Sequence, residues 1–85
     1  MKQLDEEVKS NNRIYKQVKR TSDKAMYKSD DGIIEVFKIK IAPEAEIYGK
    51  KYPEREVYPG NEDFGKIAWC FTRNAEEAEN KYNLL

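Results

Sequence analysis

The tripeptide Asp30-Asp31-Gly32 stands between two runs of alternating side chains, KAMYKS (24–29) and IIEVFKIKI (33–41). A turn tripeptide flanked in this way is a β-hairpin signal, and it constrains the fold more than any other stretch of the chain. Two registers are open. A two-residue loop at Asp31-Gly32 sets Lys28 opposite Glu35 and Met26 opposite Phe37. A three-residue loop with Gly32 left-handed sets Tyr27 opposite Glu35 and Ala25 opposite Phe37. A one-residue slip exchanges the two faces of a strand. Ile33, Phe37, Ile39 and Ile41 share one face, with Lys38 and Lys40 on the other. The three-residue loop lets that apolar face meet Ala25 and Tyr27 and leaves the lysines in water. It is the expected register.

Elsewhere the pattern is weaker. RIYKQVK (13–19) reads as an edge strand whose lysines discourage foreign pairing. MKQLDEEVKSNN (1–12) is polar, with Leu4 and Val8 one helical turn apart. It reads as a flexible or partly helical segment outside a single domain at 13–85. IAWCFT (67–72) is the most apolar run and puts Ile67, Trp69 and Phe71 on one face, with Ala68 and Cys70 on the other. It reads as a central strand with Trp69 in the core. In NAEEAENKYNLL (74–85), Asn74 suits an N-cap and Glu77 the N3 position. Ala75, Ala78, Tyr82 and Leu85 form a helical stripe. The fold class expected is α+β: a small antiparallel sheet of three to five strands with one C-terminal helix packed on a face.

Residues 42–66 hold all three prolines and three of the four glycines. A short strand at REVY (55–58), a type II turn at Tyr58-Pro59-Gly60 and an anchor at Phe64 are expected there. The stretch reads mainly as a lid over one sheet face. With its recurring aromatics it also has the makeup of a recognition surface, and Tyr48, Tyr52 and Tyr58 are the candidate contacts to another protein.

Eighty-five residues, 39% hydrophobic and 38% charged, leave a thin core for which ten aromatic residues must compensate. A homodimer would also cover apolar surface. Histidine is absent and cysteine occurs once. That excludes His-dependent triads, Cys-His pairs, His-based zinc sites and an internal disulfide. Asp30-Asp31 and Glu62-Asp63 lack the spacing of a calcium loop, and Cys70 reads as a small packed side chain. The expectation is a protein without enzymatic activity, metal or cofactor. With no apolar leader or span, it is expected in the cytoplasm and away from the membrane.

The formal net charge is zero but unevenly placed. Residues 9–28 carry seven basic residues against one acid, Asp23. In the expected register Lys24, Lys28, Lys38 and Lys40 share a face around Met26 and Val36, and Arg13, Tyr15 and Lys19 could extend it. Cations around an aromatic ring suit single-stranded nucleic acid, which is the alternative partner.

The run YPEREVYPGNEDFGKIAWCF, followed by a short helix, resembles small uncharacterised proteins carried by phages and mobile elements of gut Bacteroidetes. The resemblance covers roughly 13–85. It implies a non-catalytic accessory factor that binds a host or phage macromolecule.

Overall fold

A computed structural model describes residues 2–10 and 12–85. The strands are β1 (Glu7–Ser10), β2 (Arg13–Arg20), β3 (Lys24–Ser29), β4 (Ile33–Lys38), β5 (Lys40–Ala42), β6 (Ala45–Ile47), β7 (Lys50–Tyr52), β8 (Arg55–Val57) and β9 (Ala68–Thr72). One helix, α1 (Ala75–Leu84), closes the chain. An antiparallel sheet in the order β1-β2-β3-β4-β9 forms the body, so the fold is α+β.

The three-residue loop sets the central hairpin. Ala25 faces Phe37 and Tyr27 faces Glu35, and Gly32 has φ +90°. A side chain there would be strained by that φ and would meet Arg73 Cγ at 3.0 Å. Ser29 completes the turn: its hydroxyl accepts from Ile33 N–H, and its carbonyl accepts from Gly32 N–H.

Alternation then gives the sheet two apolar faces, each with its own cover. On one face Tyr15, Ala25, Tyr27, Phe37 and Ala68 are buried beneath Tyr58, Phe64, Leu4 and Val8. On the other, Met26, Ile34 and Val36 pack with Ala78 and Tyr82 of α1. Asn74 caps that helix, its side-chain oxygen accepting from Glu77 N–H at 3.1 Å. Lys24 Nζ donates to Tyr82 C=O at 2.9 Å, bringing a cation to the negative end of the helix.

Four expectations need correction. The described residues of 1–12 are neither helical nor separate from the sheet, because β1 pairs with β2, Val8 facing Tyr15. The core reaches out to this polar stretch: Tyr27 Oη donates to Asp5 C=O, and Leu4 N–H donates to Glu56. Strand β2 therefore lies inside the sheet and β1 forms its edge. Strand β9, expected at the centre, is the opposite edge, and Trp69 is only half-buried, with Lys81 Nζ 3.9 Å from its ring centroid. Finally, Gly60 has φ −86° and is extended, so 58–60 is no type II turn; Gly60 N–H instead donates to Asp63 at the start of a 3-10 turn.

Candidate functional site

Residues 40–57 are a single β-ribbon. Lys40 faces Val57, Ile41 faces Glu56 and Ala42 faces Arg55; beyond a gap, Ala45 faces Tyr52, Glu46 faces Lys51 and Ile47 faces Lys50. One register runs through all six pairs. The gap falls at Pro43-Glu44 and Pro53-Glu54, where each strand contributes a residue without an N–H to donate. The two prolines therefore interrupt the ladder without changing its register. They also hide the strand period in the sequence.

The base of the ribbon is bound to the body. Arg20 and Glu56 form a two-bond ion pair at 2.6 and 2.8 Å, with the Glu56 side chain only 3% exposed. Arg20 holds the Glu56 carboxyl below its ordinary pKa. Just beyond, Tyr58 stands edge-on to Tyr27 and Phe37, with ring centroids 5.2 and 5.0 Å away. Its hydroxyl donates to buried Glu35 at 2.5 Å. Burial pushes the carboxyl of Glu35 and the hydroxyl of Tyr58 to higher pKa, and both groups face the same core.

The far part of the ribbon touches nothing comparable. All residues from Pro43 to Glu54 are exposed. At a rise of roughly 3.3 Å per residue, the stretch from Ala42 to Tyr48 reaches about 20 Å. The tip is Tyr48-Gly49, with φ +52° and +76°, the signs of a type I′ turn. Such a turn favours Asn, Asp or Gly; a tyrosine with positive φ is strained. Tyr48 is also wholly exposed. A side chain that neither packs nor suits its backbone contributes nothing visible to folding.

Behind the tip the arm has two unlike faces. Glu46 and Lys51 lie opposite each other on one. On the other, Ala45, Ile47 and Tyr52 join Ala42, Pro43 and Arg55 around a shallow depression of about 260 Å³. Ile47 and Tyr52 are 52% and 38% exposed. The far ribbon thus carries an apolar strip on one face and ends in an exposed tyrosine.

The structure thus divides the three candidate tyrosines. Tyr48 and Tyr52 belong to the arm, whereas Tyr58 is a core anchor and is corrected from contact to support. Sequence reasoning missed Glu35 and Ile47. Glu35 has the parity of Ile33 and Phe37, so the chosen register already put it on the buried face. Ile47 lay beside Tyr48 in a stretch with no recognised strand.

The basic candidates do not assemble into an open platform. Met26 and Val36, expected between exposed lysines, lie under α1. Tyr15 is 2% exposed in the core on the opposite face. Lys19 pairs with Glu79, and both Lys19 and Lys24 lie over the Tyr82 ring. Arg13 pairs with Asp31 at 2.9 Å, and Lys40 approaches Asp63 at 3.5 Å. Lys28 and Lys38 remain exposed and face no ion-pair partner among the described residues. Among those residues, no helix is long and apolar enough to cross a membrane.

Comparison with known proteins found no matching family model, no matching curated protein and no matching solved structure.

Proposed function

We propose that this protein is a non-enzymatic interaction module that binds another protein through the arm formed by β6 and β7. The observation that carries the reading is Tyr48: fully exposed, left-handed, and placed at the tip of a ribbon whose base is anchored by an ion pair and by Tyr58. Aromatic side chains at such positions dominate binding energy because they bury much area with little rotamer freedom to lose. The body acts as a rigid mount. The likeness of the run YPEREVYPGNEDFGKIAWCF to small phage and mobile-element proteins fits a partner of host or phage origin.

Capture from a cytoplasmic extract, with and without nuclease, tests this. The wild-type chain is expected to retain a protein that nuclease does not release. Tyr48→Ala and Ile47→Ser should each reduce capture about tenfold or more, the effect of losing a central anchor. Capture that vanishes with nuclease, or persists in both variants, contradicts the proposal. The first outcome would favour nucleic acid held by Lys28, Lys38 and their neighbours.

A further inference from the structure

Strand β9 ends the sheet with backbone groups that have no partner among the described residues. Lys38 N–H donates to Ile67 C=O, and Arg73 N–H donates to Gly32 C=O. Antiparallel alternation between these bonds turns the polar groups of Trp69 and Phe71 towards β4. Those of Ala68, Cys70 and Thr72 turn outward. Ala68 C=O is occupied, accepting from Gly65 N–H at 2.7 Å. Beyond the strand, Asn74 C=O accepts from Ala78 N–H. Between these stops, Cys70 and Thr72 present two donors and two acceptors with no partner among the described residues.

This edge also lacks the usual protection. Edge strands avoid foreign pairing with charges, prolines or a covering segment. The β1 edge carries Glu7 and Lys9, but Ile67 to Thr72 has no charge and no proline. Trp69 and Phe71 are half-buried along its helix side, and Cys70 is exposed.

We propose that β9 pairs with β9 of a second copy, antiparallel about a two-fold axis at Phe71, so that one sheet runs through both subunits. Cys70 then faces the partner's Thr72, and Thr72 faces the partner's Cys70. This register satisfies all four free groups in each copy. The neighbouring register, Cys70 against the partner's Cys70, would call on Ala68 C=O, which Gly65 already holds. A second copy fits better than an arbitrary strand because its free segment has the same length and the same stops. Its formal net charge of zero brings no net repulsion. Phe71 meets the partner's Phe71 in a non-hydrogen-bonded pair, where side chains lie closest, and the apolar rim is covered. The interface is isologous and closed.

Thr72→Cys tests the register directly. Residues in a hydrogen-bonded pair have Cα atoms about 5.5 Å apart, within disulfide range. Mild oxidation of this variant should link Cys70 to the introduced thiol of the other copy, as peptide mapping would read. It should do so about tenfold faster than the wild-type chain forms dimers, since the two Cys70 residues lie diagonally, roughly 7–8 Å apart. Equal rates, or linkage mainly between the two Cys70 residues, would overturn the proposal. A second measurement needs no new thiol. Under reducing conditions, amide exchange at Cys70 and Thr72 should slow as the wild-type chain is raised from about 10 µM to about 1 mM, a range that spans weak association. Thr72→Pro removes one donor, and Cys70 should then lose that slowing. Exchange independent of concentration would also overturn it.

Discussion

Glu35 is 3% exposed and its carboxyl is held by Tyr58, with no salt bridge among the described residues. Burial raises its folded-state pKa above the ordinary 4.5. Below that value both folded and unfolded chains are protonated and its contribution is intact. As pH rises through the folded value, the unfolded chain has already lost its proton, and stability falls. Glu56 behaves oppositely. Its hydrogen-bonded ion pair with Arg20 lowers the folded pKa, so its contribution is present at neutral pH and is lost as pH falls through that value. Glu35→Gln should therefore stabilise the protein at pH 7–8 and change little at pH 4, in chemical denaturation followed by tryptophan fluorescence. Equal effects at both pH values would remove burial as the cause. Arg20→Ala leaves the Glu56 carboxylate in a 3% exposed position without its partner and should cost about 3 kcal/mol in the same assay. A loss below about 1 kcal/mol, the worth of a surface pair, would mean that the ribbon base is not fixed there.

At the scale of elements, the arm and the helix make opposite demands. Tyr48→Asn places a residue suited to positive φ at the tip and removes the exposed ring. It should stabilise the fold by a few tenths to about 1 kcal/mol while weakening partner capture. A lower melting temperature would show that Tyr48 supports the fold. Truncation after Arg73 should unfold the body, because Met26, Ile34 and Val36 would lose their cover. A cooperative transition retained without the helix would contradict that. The central hairpin was legible because turn residues and parity agreed, and one register kept Lys24, Lys28 and Lys38 off the lid side. The helix was legible from Asn74, Glu77 and its stripe. Strand β1 was not, since Glu-Val-Lys-Ser shows its strand character only beside Tyr15. The edge position of β9 was not legible either: an apolar run looks alike whether its second neighbour is another strand or water.

For the whole molecule, two covers of unlike kind lie on one sheet. The helix closes one face by packing Ala78 and Tyr82 against it, helped by the Lys24–Tyr82 hydrogen bond and the Lys19–Glu79 pair. The ribbon begins and ends at the other face, and Tyr58 and Phe64 return the chain to the core. Half of the candidate site could be seen in the sequence: Tyr48 and Tyr52 stood out as aromatics without a core to fill. Their union into one arm could not, because Pro43 and Pro53 break the alternation that marks a strand pair. In the function proposed above, the arm makes the contact and the body only mounts it. Because Ala42 faces Arg55 in register, residues 43–54 can be replaced by Asn-Gly, which closes the same two strands with a type I′ turn. Partner capture by this armless chain, with its melting temperature recorded alongside, is the direct measurement. The armless chain should melt within about 5 °C of wild type, corresponding to less than about 1 kcal/mol, and capture nothing. Capture at the wild-type level by a folded armless chain would contradict it.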